Sequence, residues 1–243
     1  MSSTVTQEAF YEALQEHLHK QNVGKGAEYD REDYIEFHKN RYWLSYRHIL
    51  PLLQPGVKVL ELGEPGPFTY VLGKFHPKLQ LAYAEEDLRY GISFGENTFD
   101  LVLNMEVIEH IKDLNEAPMD WVDMSGLKNF IREIQRVLKP NGKMFISTPN
   151  SLSYNNMNLF FNQEAAWMWY GHFKEFTVPD LCRHIADGGL KIDMVKTLNV
   201  WPQRYEHRYT QLIILIDRIK KWLRFKSMKN HWRGDSIFMI CSK

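Results

Sequence analysis

Val57-Lys58-Val59-Leu60-Glu61-Leu62-Gly63-Glu64-Pro65-Gly66-Pro67 is the stretch whose reading decides the fold. Its first six residues are rich in β-branched and aliphatic side chains, a short buried strand, and the Gly/Pro cluster behind them forces a turn. A helical run, Phe68 to Phe75, comes next, so the segment reads strand, turn, helix. Downstream the pattern repeats. Leu79 to Ala84 is a second strand ending at Glu85-Glu86-Asp87, and Phe99 to Asn104 is a third. Leu127 to Leu138 is a helix with Leu127, Phe130, Ile131, Ile134, Val137 and Leu138 on one face. It stops at Lys139-Pro140-Asn141-Gly142, and a strand runs from Lys143 to Thr148. A helix near Val178 to Ala186, a strand near Lys191 to Leu198 and a final strand, Ser236 to Ser242, complete the list. Strands alternating with helices imply parallel pairing through right-handed crossovers, hence an α/β doubly wound sheet.

Upstream, Gln7 to His19 places Phe10, Leu14 and Leu18 at spacings of four, an amphipathic helix closed by Gly24 and Gly26. Asp33 to Leu53 is a second helical stretch, carrying Tyr34, Phe37, Tyr42, Trp43 and Tyr46. It reads either as a packed cover on the sheet or as a lid over a ligand. The expected organisation is an N-terminal helical cap over residues 1–54 and one domain over 55–243, with insertions at 151–176 and 201–233. The chain's 243 residues suffice for this, and 30 basic residues balance 30 acidic ones, so no global field draws it toward nucleic acid. Cys182 and Cys241 lack metal or redox spacing and read as small buried hydrophobes of a reducing compartment. With no signal-peptide pattern and no apolar run near the roughly 18 residues of a membrane span, the expected location is cytoplasmic.

In a doubly wound sheet, ligands sit beyond the carboxyl ends of the strands, where the strand order reverses. The first strand delivers Glu61 and Gly63 to that edge, and Gly63 and Gly66 allow backbone to approach a ligand or adopt conformations barred to other residues. The carboxylates Glu85, Glu86 and Asp87 close the second strand about 20 residues on, where an acid can accept from ribose hydroxyls. A Gly-rich turn alone is also compatible with no ligand.

Three segments together carry a resemblance. Val59-Leu60-Glu61-Leu62-Gly63 resembles motif I of the class I S-adenosylmethionine (SAM)-dependent methyltransferases. Asn97-Thr98-Phe99-Asp100-Leu101-Val102-Leu103-Asn104-Met105-Glu106-Val107-Ile108-Glu109-His110 resembles the fourth-strand motif of that superfamily, and Arg136-Val137-Leu138-Lys139-Pro140-Asn141-Gly142-Lys143 its approach to the fifth strand. The resemblance covers roughly residues 40 to 200. It implies a Rossmann-like, mostly parallel sheet with an antiparallel last strand. It also implies SAM as cofactor, held by Glu61, Gly63, Gly66, the acids at 85–87 and Asn104. The chain departs from the family where prolines occupy 65 and 67 in place of the usual glycines, and where Glu64 adds negative charge. Asp87 to Phe94 would have to supply a compressed third strand and the adenine contact.

Beyond the cofactor, Glu106, Glu109 and His110 would share one face if they lie on a helix, with Val107, Ile108, Ile111 and Leu114 against the sheet. The trio resembles the Glu-x-x-Glu-His element of ubiquinone-pathway O-methyltransferases and of small-RNA 2′-O-methyltransferases. That likeness implies a divalent cation, Mg²⁺ or Mn²⁺, on Glu106, Glu109 and His110, with His172 joining from a downstream loop. A metal-free site with His110 or His172 as base, and a purely structural polar cluster, are the other readings. Thr148-Pro149-Asn150 is expected to border the pocket. Tyr154, Asn155, Asn156, Phe160, Phe161, Trp167, Trp169 and Tyr170 could form a sugar-stacking wall or a buried insertion.

Gln211 to Phe225 is amphipathic, with Leu212, Ile213, Leu215, Ile216, Ile219 and Leu223 set against Arg218, Lys220, Lys221 and Arg224; Lys226 and Lys229 extend the charge. It reads as a packed helix, as a peripheral membrane contact, or, least, as a nucleic-acid contact. The leading expectation is O-methylation of a hydroxyl on a small-molecule or saccharide acceptor. The rivals are RNA 2′-O-methylation, a catalytically inactive scaffold, and, distantly, a nicotinamide dehydrogenase, for which the Gly-x-Gly-x-x-Gly spacing is missing.

Overall fold

A computed structural model describes residues 5–20, 32–114, 123–165, 169, 171–201, 205–223 and 232–243. Trp167, Tyr170, Arg224, Lys226 and Lys229 therefore lie outside the described residues, as do Gly24 and Gly26. The strands are β1 (Lys58–Leu62), β2 (Gln80–Ala84), β3 (Phe99–Met105), β4 (Leu138–Pro149), β5 (Lys191–Leu198) and β6 (Ser236–Ser242). The helices are α1 (Gln7–Lys20), α2 (Glu32–Ile49), α3 (Pro67–Phe75), α4 (Ser125–Val137), α5 (Tyr154–Phe161), α6 (Val178–Asp187) and α7 (Arg208–Trp222).

The six strands form one sheet in the order β2-β1-β3-β4-β6-β5. β1 pairs in parallel with β2 and β3, and β3 with β4, while β6 runs antiparallel to both β4 and β5. The doubly wound reading and the reversed last strand stand. The compressed third strand does not: residues 85–98 contain none, and β2 is the edge strand on that side of the sheet. Asp87–Phe94 holds instead a turn stapled by Arg89 to Asp87 and by Arg136, whose guanidinium donates to the Ile92 and Phe94 carbonyls.

Alternation along the strands feeds two cores. On one face Leu60, Val102, Met144 and Ile146 pack with Phe130, Ile131 and Ile134 of α4 and Leu181 and Ile185 of α6. On the other, Val59, Leu101, Leu103 and Phe145 pack with Phe10 and Leu14 of α1, Tyr42, Tyr46 and Ile49 of α2, and Phe68, Val71 and Leu72 of α3. The N-terminal helices are thus a packed layer, and α2 also reaches the ligand edge. Cys182 and Cys241 are free thiols, and no helix among the described residues is long and apolar enough to cross a membrane.

Candidate functional site

β1 ends at the carboxyl edge in a turn that only glycine accommodates easily. Gly63 has φ +104°, and its N–H donates to the Ala84 carbonyl at 2.8 Å, tying the turn to the end of β2. Motif I and the acids after β2 therefore converge. Gly66 is different: at φ −123° it caps α3, and its N–H donates to Thr69 Oγ1 at 3.3 Å. Pro67 is the first residue of α3, where a missing N–H costs nothing. Pro65 is exposed and does not line the adjoining cavity, whereas Glu64, also exposed, lies on its wall; Pro67 suits the helix start, and Glu64 brings a negative charge to the cavity.

A cavity of about 190 Å³ opens here, lined by Tyr34, Arg41 and Tyr42 of α2, by Glu61, Gly63 and Gly66, and by Glu106. Glu61 is buried, with Oε2 lacking a hydrogen-bond partner; burial pushes its carboxyl up to about 7, against the pull of Thr69 and the Gly66 N–H. Arg41 is also buried, 3.2 Å from Glu106 and 5.0 Å from the Tyr42 ring, and its Nε has no hydrogen-bond partner among the described residues. Glu106 sits in the left-handed region at φ +58°, a conformation that a non-glycine residue holds only when its surroundings fix it. Arg41 escaped the sequence reading. The available signal was an arginine set directly before Tyr42-Trp43 on the aromatic helix.

The acids after β2 divide. Glu86 accepts from the Ser93 N–H at 2.5 Å and Asp87 is engaged by Arg89, whereas Glu85 is exposed at the strand end. Asn104, read as a cofactor contact, is fully buried and does not line the cavity; its Oδ1 accepts from the Ile108 N–H at 3.2 Å and shapes the turn beyond β3.

That turn is a single 3-10 turn, Ile108–His110, not an α-helix, so Glu106, Glu109 and His110 do not share a face. Glu106 turns toward Arg41. Glu109 and His110 instead meet His172, and one ligand atom from each of these three lies within 4.8 Å of the others. Glu109 is fully buried: Thr148 Oγ1 donates to Oε2 at 2.9 Å while Oε1 has no partner, and burial, helped by the Glu106 charge, holds its carboxyl well above the usual range. Nδ1 of His110 lies 3.3 Å from the Gly171 carbonyl, and Nδ1 of His172 lies 2.8 Å from Glu175 Oε1. Both imidazoles can thereby keep Nε2 as the available nitrogen. Burial, then the neighbouring His172, lowers the pKa of His110. Asn156 Nδ2 donates to Glu175 Oε2 at 3.0 Å, orienting the acid that holds His172.

The aromatic–amide wall breaks up. Trp169 packs edge-on, 5.5 Å from the His110 and His172 rings, but Tyr154 bonds Asp217, Phe161 stacks on His207, and Phe160 faces outward. Thr148 touches the site through Glu109, whereas Asn150 ties down the segment before β6 through the Trp232 and Gly234 carbonyls.

Residues 55–195 match the model of a family described as a methyltransferase domain. Among curated relatives, a ubiquinone biosynthesis O-methyltransferase of Parvibaculum lavamentivorans is 34% identical over 39% of this chain and 34% of its own length. One from Methylobacterium sp. (strain 4-46) is 25% identical over 58% and 54%. The chain thus spans about a third to a half of the length of these relatives. Among solved structures, a SAM-dependent methyltransferase from Archaeoglobus fulgidus covers 86% of this chain and 97% of its own, with a TM-score of 0.56 at 13% identity, a likeness of fold.

Proposed function

The chain belongs to the methyltransferase-domain family, and on that premise we infer that it transfers a methyl group from SAM to a hydroxyl of a small-molecule or saccharide acceptor. The observation that carries this reading is the Glu109–His110–His172 cluster, in which His172 from the loop before α6 meets the turn that follows β3, and Glu106 of that turn lines the Gly63 cavity. SAM, when bound, supplies an electrophilic sulfonium methyl. The residues fit its parts. Arg41 offers a buried guanidinium to the methionine carboxylate, Glu61 offers a carboxylate to the ammonium, and Glu85 offers an acceptor to the ribose. The cavity is smaller than the roughly 300–1,000 Å³ of drug-sized sites, which suits the amino-acid end, with the nucleoside over the open edge by Glu85.

Transfer to a hydroxyl requires an oriented acceptor and a base for its proton. His110, with its lowered pKa, is neutral near pH 7, and its Nε2 can receive that proton. His172 is held by Glu175, and Trp169 gives an apolar wall against which a ring can lie. The same cluster also fits a divalent cation, since Glu109 Oε1 lacks a partner and the Nδ1 contacts leave both Nε2 atoms available. Two imidazoles and one carboxylate suit Mn²⁺ better than oxygen-loving Mg²⁺. When bound, such an ion lowers the pKa of a coordinated hydroxyl.

Two measurements test the reading. Titration calorimetry with SAM should give saturable binding that Arg41→Met weakens at least about tenfold, in line with loss of a charged hydrogen bond. No binding at millimolar SAM would leave an inactive scaffold. Turnover across phenolic and saccharide acceptors, with and without chelator, should show O-methylation; chelator-insensitive rates would remove the cation and leave His110 as base.

A further inference from the structure

We propose that α7 is a docking helix for an anionic membrane surface. The geometry is inverted relative to an ordinary amphipathic helix of a globular protein, which buries its apolar stripe. Here the buried residues are Thr210 and Asp217, with Ile213 and Ile214 half-buried between them; Asp217 accepts from the Tyr154 hydroxyl at 3.1 Å and faces Arg233 at 3.8 Å. Leu212, Leu215, Ile216, Ile219, Trp222 and Leu223, at helical spacings of three and four, all face outward, with Leu215 53% and Trp222 81% exposed. On α5, which packs against α7, Phe160 is also 66% exposed. A contiguous surface of this kind marks an interaction site.

Charge selects the occupant. Arg218 and Lys220 flank the stripe, Arg208 begins the helix and Lys221 ends it, all exposed, while the helix's only acid is the inward Asp217. Bulky apolar residues bordered by cations match the interface of an anionic bilayer. A second copy meeting the same face across a two-fold axis would oppose like charges. The docked helix adjoins the acceptor side, since α5 is bonded to α7 through Tyr154 and to the His172 support through Asn156. The proposal does not depend on the methyltransferase reading.

The test is co-sedimentation of the full chain with phosphatidylcholine vesicles, with and without phosphatidylglycerol. Binding at least about tenfold tighter on the anionic vesicles is expected. The triple variant Leu215→Ser, Ile219→Ser, Trp222→Ser should lose that binding, and Arg218→Glu with Lys220→Glu should abolish its dependence on phosphatidylglycerol. Both should keep the wild-type circular dichroism and melting temperature, because the altered side chains are exposed. Absence of binding overturns the proposal, as does binding that survives the serine variant, which would be electrostatic adsorption alone. Sedimentation showing a dimer that the serine variant dissociates also overturns it, in favour of self-association.

Discussion

At the scale of single residues, the two glycines of the first turn separate cleanly. Gly63 holds a positive φ, so Gly63→Ala strains the backbone and should cost roughly 1–2 kcal/mol of stability, read by denaturant unfolding. Gly66 has an ordinary φ, and an added Cβ would meet nothing nearer than the Glu64 carbonyl at 3.9 Å. Gly66→Ala should therefore leave the melting temperature unchanged, and any loss of SAM affinity would report backbone lying against the ligand. Glu61 makes a prediction with a sign. Its carboxyl is raised from 4.5 to about 7, so its neutral form is favoured in the folded protein. Stability from this group is fully present below pH 4.5 and is lost as pH rises through 7, roughly 3 kcal/mol in all. Glu61→Gln should raise the melting temperature at pH 8 and leave it nearly unchanged at pH 4. If Glu61 meets the SAM ammonium, wild-type binding should also release a proton near pH 6, seen as a dependence of calorimetric heat on buffer ionisation. The histidine pair has its own support: Glu175→Gln keeps the shape but weakens the hold on His172, the ring beside the base His110, and should lower kcat with little change in SAM affinity.

At the scale of elements, α4 and α6 are placed by close contact rather than by propensity. Gly126, in the first turn of α4, has no room for a Cβ, which would lie 1.8 Å from the Lys112 carbonyl. Gly188, after α6, would drive one to 2.1 Å from Ile131 Cγ2. Gly126→Ala must displace backbone and should cost about 3 kcal/mol, on the order of 10 °C in melting temperature. Gly188→Ala meets a side chain that can yield and should cost less. The ordering of the two variants in one thermal scan checks the assignment. The turn after β3 teaches a related lesson. The spacing of Glu106, Glu109 and His110 suits a helical face, but Asn104 accepts the Ile108 N–H and Glu106 takes a left-handed conformation. The chain therefore makes one 3-10 turn and sends Glu106 and Glu109 to different neighbours.

At the scale of the molecule, the sheet joins two sites on one edge: the Gly63 cavity and the histidine cluster, bridged by Glu106 between Arg41 and the turn that carries His110. Saturating SAM should raise the melting temperature in proportion to the logarithm of its concentration, and Arg41→Met should blunt that rise. The amino-acid sequence by itself determined the order of strands and helices, the reversed last strand and the meeting of motif I with the acids after β2. The order of elements follows from local hydrophobic period and turn chemistry, and the meeting at one edge from the crossover rule, whereas the reversed last strand follows from the resemblance to the methyltransferase superfamily. Only the tertiary structure decided that β2 is an edge, that Arg41 enters the cavity, that Glu109 rather than Glu106 joins the histidines, and that the apolar stripe of α7 faces outward. Each depends on which surface a side chain meets across distant segments. A pattern within one helix or strand records that it has two faces; it does not record which of them the rest of the chain will cover.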